Sequence, residues 1–129
     1  MPFSPRSWAA LNTCHPDLIR LFTEVEKHWD CTILEGHRGK EEQTRDYETG
    51  KSKKPWPTSN HNYEPSLAVD AAPYPIDWTD TSRFTLFAGF VLGVASQMGL
   101  KVRWGGDFSG DRSSRGERFL DMPHMELVS

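Results

Sequence analysis

The sequence predicts an α+β domain in which helices pack on a central antiparallel sheet. Three observations lead there. At 129 residues the chain has the length of one domain. Its 36% hydrophobic and 26% charged residues are those of a globular chain rather than a disordered one. Its candidate helices and strands follow one another without the regular βαβ alternation that builds parallel sheets. No internal repeat or long linker divides the chain, so a single domain over 1–129 is expected.

The elements can be justified in order. HPDLIRLFTEVEKHW, residues 15–29, spaces Leu18, Phe22, Val25 and Trp29 as one apolar stripe of an amphipathic helix. Pro16 suits its first position and Asp17 the positive end of its dipole. CTILEG, 31–36, is a short β-branched run closed by Gly36, which reads as a strand. KEEQTRDYETG, 40–50, reads as a polar surface helix stopped by Gly50. Residues 50–60, GKSKKPWPTSN, form a basic, Pro-rich loop whose lysines suit either an acidic ligand or plain solvation. SLAVDAA, 66–72, alternates as a strand and leads into the turn-rich PYPIDW. Asp80 or Thr81 caps a helix running to about Met98, with Gly99 as its stop. That helix is apolar on most sides and is expected to be the central buried one. Its Gly89 and Gly93 suit close packing on the sheet. Lys101–Trp104 is a third strand, Gly105–Glu117 a Gly- and Ser-rich loop, and His124–Val128 a closing strand.

Composition excludes several classes of function. Fifteen basic against 18 acidic residues give a net charge of −3, too little positive charge for a nucleic-acid binder with a broad basic face. The longest apolar stretch, Phe84–Ala95, falls short of the roughly 20 residues that span a bilayer. The start MPFSPRSWAALNTC lacks a basic end followed by an apolar run, so no Sec signal peptide is expected. Cys14 and Cys31 cannot build a disulfide framework or, by themselves, a thiolate metal site, and read as free thiols in a reducing compartment. Five Trp and nine Pro suggest rigid loops and aromatic walls, with Trp56, Tyr63, Tyr74, Trp78, Trp104 and Phe108 as candidates around a cleft and Trp104 by default in the core.

Five histidines are present: His15, His28, His37, His61 and His124. His15 and His28 bracket the first helix and read as surface or capping residues. His61 precedes Asp70 by nine residues, and Asp70 interrupts an otherwise apolar strand. A lone carboxylate there is costly unless it is paired or bound to a metal. His124 follows Asp121 by three residues. Zinc takes His nitrogens and carboxylate oxygens, and catalytic sites use three protein ligands with a fourth position left to water. His61, Asp70 and His124 would supply such a set. Spacing alone is weak evidence for it, because a chain with five histidines and 18 acids offers many triplets, and leaves open a satisfied core aspartate beside two ordinary histidines.

Four segments resemble one family in order. SNHNYEPSLAVD resembles the zinc-binding S-x-H…A-x-D motif of the M15 zinc peptidases, which include D-Ala-D-Ala carboxypeptidases, dipeptidases and L-alanyl-D-glutamate endopeptidases. DMPHMEL resembles the D-x-P-H segment of its phage endolysin branch, GHRGKEEQ its G-x-R-x-x-x-x-Q segment, and GLKVRWGGDF its R-W-G-G-D-[WF] segment. Together they span residues 36–126. One departure stands out: many members separate the metal His and Asp by seven residues, where here Pro65 and Ser66 lie within a gap of nine. The extra residues are expected to enlarge the loop before the strand.

The resemblance implies a D-Ala-D-Ala carboxypeptidase/Hedgehog-like fold with Zn2+ on His61, Asp70 and His124. It implies Asp121 as general base, with Glu126 as rival or supporting group, and Arg38 as the oxyanion stabiliser. Ser59 would bind substrate or orient the site, Gln43 would pack its segment, and Asp107 would hold a zinc-ligating histidine or cap a turn. The implied activity is hydrolysis of a peptidoglycan stem peptide, most directly the L-Ala–D-Glu bond, by a phage endolysin for host lysis. A D,D-carboxypeptidase or dipeptidase, and a non-catalytic zinc-containing binding module, are the alternatives. The expected enzyme is a monomer without a cell-wall-binding domain, kept in the host cytoplasm until a holin pore releases it to the wall, with no nucleic-acid or membrane partner. A prophage or bacterial recycling enzyme would carry the same motifs.

Overall fold

The structure, a computed structural model, describes residues 3–107 and 121–128. The remainder of the Gly105–Glu117 loop, with Phe108, lies outside the described residues. In chain order the elements are α1 (Pro5–Leu11), α2 (Pro16–Glu26), β1 (Cys31–Glu35), α3 (Lys40–Glu48), a 3-10 turn (Asn60–Asn62), β2 (Ala68–Pro73), α4 (Thr81–Gln97), β3 (Val102–Trp104) and β4 (His124–Leu127). The four strands form one sheet in the order β1-β2-β4-β3, with every neighbouring pair antiparallel. This is the expected α+β architecture.

Local chemistry sets the helix ends. The His15 ring Nδ1 accepts the Asp17 N–H at 3.0 Å to cap α2, and Asp80 accepts the Arg83 N–H at 3.0 Å to cap α4. Gly50 and Gly99 follow α3 and α4 at φ +82° and +74°, the left-handed conformation that ends a helix cheaply only at glycine. The expectations had no helix before residue 15. There α1 starts at Pro5, with the Ser4 hydroxyl accepting the Ser7 N–H at 3.1 Å. The Ser7 hydroxyl in turn accepts the Ile33 N–H at 3.1 Å, tying α1 to the outer edge of β1.

Cross-strand partners lie on one face of a sheet, so register sorts the side chains. Ile33, Ala71, Val69, Met125 and Trp104 face the core, where they meet Leu18, Phe22 and Val25 of α2 and Phe87, Val91 and Ala95 of α4. The other face carries Asp70 opposite His124, and Glu126 flanked by Ala68 and Arg103. A bulge in β1 joins these two patterns. Ile33 pairs with Ala71 but Glu35 pairs with Asp70, so Leu34 is the extra residue and is exposed. The shift turns Glu35 from the core side to the face of Asp70.

Two expectations about α4 need correction. It is not buried on most sides: Phe84, Phe87, Ala88, Val91 and Ala95 are buried, whereas Leu86 is 67% exposed. Gly89 and Gly93 lie on the outward face, where an added Cβ would meet nothing within 4 Å. Only one face of α4 meets the sheet and α2, and both glycines miss it.

Candidate metal centre and active site

The site is built on the polar face of β2 and β4. Antiparallel register puts Asp70 directly opposite His124, and the Asp70 Oδ1 lies 3.4 Å from His124 Nδ1. His61 arrives from the 3-10 turn. The Ser59 hydroxyl accepts the His61 N–H at 3.2 Å, and the Asn62 side chain accepts the Ser59 N–H at 3.1 Å, a reciprocal cap that sets the turn. The Arg38 N–H donates to the His61 carbonyl at 2.8 Å, fixing the turn against the segment after β1. His61 Nε2 then lies 3.2 Å from both Asp70 Oδ1 and His124 Nδ1.

Three donor atoms spaced 3.2–3.4 Å apart fit a zinc ion. Corners of a tetrahedron with bonds of about 2.0 Å are about 3.3 Å apart. The outer ring nitrogens support the same reading. His61 Nδ1 meets the Gly36 carbonyl at 2.7 Å, and His124 Nε2 meets a Glu126 carboxylate oxygen at 2.6 Å. Both partners accept only, so each outer nitrogen donates its N–H and each inner nitrogen of a neutral ring presents a lone pair. Two such lone pairs and a carboxylate converging in a buried spot suit a metal cation, whose place a proton on His124 takes when no metal is bound. Neither cysteine takes part: Cys14 and Cys31 are buried elsewhere, and burial pushes both thiols up to about 12.

Electrostatics follow the same geometry. Burial alone would raise the Asp70 carboxyl, but hydrogen bonds from His124 and His61 hold it well below the usual range. For His124 burial acts downward, and the hydrogen bonds to Asp70 and Glu126 overcome it, raising the ring to about 9. Glu126, against its own burial, is held down to about 2 by His124 and by Arg103, whose Nη2 lies 2.6 Å from Oε2. Burial and the Asp70 charge raise the Asp121 carboxyl.

Asp121 stands beside the cluster. Its Oδ2 is 3.8 Å from His124 Nδ1 and its side chain is 35% exposed. Its position depends on Gly105: the Asp121 N–H donates to the Gly105 carbonyl at 2.8 Å, and the Gly105 N–H donates to the His124 carbonyl at 2.7 Å. A Cβ at Gly105 would lie 2.0 Å from the Asp121 carbonyl oxygen, so the approach requires glycine. Gly36 is similarly confined, since its Cβ would meet Thr13 Oγ1 at 2.3 Å and the Ala10 carbonyl at 2.5 Å.

Arg38 is buried and oriented from three sides. Its Nε and Nη2 bond to Glu35, Nη1 donates to Gln43 at 3.0 Å, and Asp46 lies 3.4 Å from Nε. A second N–H on each terminal nitrogen remains for a further acceptor. A cleft of about 350 Å³ joins Arg38, Ser59, His61, Asp121 and His124 on its walls with Lys51, Lys54 and Arg103.

The structure therefore brings Arg38, Ser59, His61, Asp70, Asp121 and His124 to one place. Gln43 packs as expected and is fully buried. Glu126 is buried and bonded to His124 rather than lying at the surface, while Asp107 is buried in the turn after β3 with its N–H on the Trp104 carbonyl at 2.9 Å. The expected aromatic wall is not there: among the described residues no Trp, Tyr or Phe lines the cleft. Trp104 points into the core, Trp78 stacks on Phe84, and Tyr63 and Tyr74 face solvent. In the segment before β2, Ser66 docks on the α1–α2 turn, where its N–H donates to the Thr13 carbonyl at 2.9 Å and its carbonyl accepts the His15 N–H at 2.8 Å. Sequence reading missed Glu35, Arg103 and the Gly36 carbonyl. The glycine ending CTILEG was the one available signal for the last.

Comparison with known proteins agrees with the fold. The family described as phage L-alanyl-D-glutamate peptidase matches residues 1–128. Among solved structures, the crystal structure of the Serratia marcescens L-Ala D-Glu endopeptidase ChiX is similar, with 26% identity and a TM-score of 0.77 over 99% of this chain and 90% of that one. No curated protein matches the chain in sequence. The chain belongs to the phage L-alanyl-D-glutamate peptidase family.

Proposed function

We propose that the protein is a zinc-dependent endopeptidase that hydrolyses the L-Ala–D-Glu bond of peptidoglycan stem peptides. His61, Asp70 and His124 are its metal ligands, Asp121 its general base, Arg38 its oxyanion stabiliser and Ser59 a substrate contact. The observation that carries the reading is the convergence of His61 Nε2, Asp70 Oδ1 and His124 Nδ1 within 3.2–3.4 Å, with both histidines on the wall of a cleft that Asp121 also lines.

Zinc held by His61, Asp70 and His124 would supply Lewis acidity for the scissile carbonyl and for a water near neutral pH. The chain's own residues do the rest. Asp121, partly exposed beside the donors, takes the proton from the attacking water and passes it to the leaving amine of D-Glu. Arg38, held by Glu35, keeps its charge and offers fixed N–H donors to the oxygen on which negative charge develops. Glu126 and the Gly36 carbonyl keep the two imidazoles in the tautomers that direct lone pairs inward. The Ser59 hydroxyl accepts from His61 and retains its own proton for a substrate acceptor.

Digestion of purified cell walls, with fragments weighed by mass spectrometry, tests the proposal. New L-Ala carboxyl ends and D-Glu amino ends, lost on chelation and restored by zinc, are expected. Release of terminal D-Ala alone would assign a D,D-carboxypeptidase instead, and no cleavage with or without zinc would assign a binding module. We further propose a monomer, delivered to the wall as a phage endolysin through a holin pore. Light scattering and lysis assays with and without a holin test those two points.

A further inference from the structure

We propose that Lys51 and Lys54 form an anion subsite of the cleft that takes the free carboxylate of the substrate's D-glutamate residue; the inference rests on the endopeptidase reading above. The chain carries a net charge of −3, yet Arg38, Lys51, Lys53, Lys54 and Arg103 all line this one cleft. Two of these cations already have acidic partners: Arg38 is paired with Glu35 and Arg103 with Glu126. Lys51 and Lys54 are exposed, and among the described residues no carboxylate lies within ion-pair distance of either ammonium.

The lysine loop is also fixed in place. Gln43, fully buried, donates from Nε2 to the Ser52 hydroxyl at 3.0 Å and to the Lys54 carbonyl at 2.5 Å. Its Oε1 accepts from Arg38 at 3.0 Å and from Asn62 at 3.1 Å. The Ser52 N–H donates to the Asp46 carbonyl at 2.9 Å. One buried amide thus ties the lysine backbone to Arg38 and to the turn that carries His61. A solvated loop needs no such anchor.

The substrate supplies the matching charge. D-Glutamate joined through its amine has two carboxyl groups, and the peptide continues through only one. The other is an anion a few bonds from the scissile nitrogen, so it must lie in or beside the cleft when that bond is over the donors. Lysine suits it, because an ammonium on a flexible stem tolerates some variation in where the charge sits.

Two stem peptides that differ only at this group, free acid against primary amide, test the subsite. Wild-type protein is expected to cleave the acid with a kcat/KM about tenfold higher than the amide, since charge-assisted hydrogen bonds are roughly twice as strong as neutral ones. The Lys51→Met/Lys54→Met protein, with its fold and zinc content checked, is expected to lose that preference through a raised KM for the acid. Added salt is expected to erode the wild-type preference in the same way. Lys27→Met, which removes one charge just after α2 and away from the cleft, is expected to keep it. The subsite is overturned if the double variant retains the wild-type preference, if Lys27→Met loses it equally, or if wild type cuts both peptides equally well. Cleavage of neither peptide between L-Ala and D-Glu would instead overturn the endopeptidase reading, and this inference with it.

Discussion

Asp70 and His124 are cross-strand partners in the antiparallel β2–β4 pair, 3.4 Å apart between Oδ1 and Nδ1. A slip of one residue would send either side chain into the core, so the sheet register that buries Val69 and Met125 is the same one that assembles the polar cluster. Stability and chemistry are coupled there through the backbone.

Asp121 and Glu126 are predicted to fail differently. Asp121→Ala should lower kcat by about 10²–10⁴, the usual worth of a general base, while zinc stays bound. Glu126→Gln should instead weaken zinc binding by about 10–100-fold, because it loosens the His124 ring. Steady-state kinetics and metal analysis of both proteins check this. Full activity in Asp121→Ala would remove it as the base.

Metal affinity should depend on pH with a defined sign. The His124 ring is raised to about 9 in the metal-free protein, so it contributes stability that is fully present below about 6.5 and is lost as pH rises through about 9. A metal needs the neutral ring, so binding should release about one proton and strengthen about tenfold per pH unit up to about 9. Competition with a chelator between pH 7 and 9 measures the slope; a flat profile would contradict the assignment.

Two glycines should respond in opposite directions to the same substitution. Gly105→Ala puts a Cβ on the Asp121 carbonyl and should destabilise by about 1–3 kcal/mol with a loss of activity. Gly89→Ala, in open space on the outer face of α4, should stabilise by about 0.5–1 kcal/mol. Urea unfolding of the two proteins reads both signs.

Cys14 and Cys31 should not react with a thiol reagent at pH 8 in the native state, since both are buried and raised to about 12. Both should react on unfolding. Fast labelling of the native protein would place a thiol at the surface.

Much of this site was legible before any coordinates. His61, Asp70, Asp121 and His124 stand in local contexts that survive as motifs, and Asp70 is conspicuous as a charge in an apolar strand. The stripe of Leu18, Phe22 and Val25 likewise marks α2. Other parts depend on partners that one segment cannot reveal. Helix α1 is too short, at seven residues, to repeat an apolar stripe, and only Ser4-Pro5 marks its start. Apolar composition did not say which side of α4 is buried, because an exposed Leu86 reads the same as a buried Phe87. The bulge that turns Glu35 towards Arg38 exists only relative to β2. The lysines of the 51–54 loop gained a place on the cleft only through Gln43, whose bonds span segments far apart in sequence.

Anomalous diffraction at the zinc edge, from crystals grown with one equivalent of zinc, tests the central claim most directly. The account predicts one strong peak bonded to His61 Nε2, Asp70 Oδ1 and His124 Nδ1, at about 2.0–2.2 Å from each. A peak bonded to His124 Nε2, or zinc held elsewhere on the chain with this cluster empty, would contradict it.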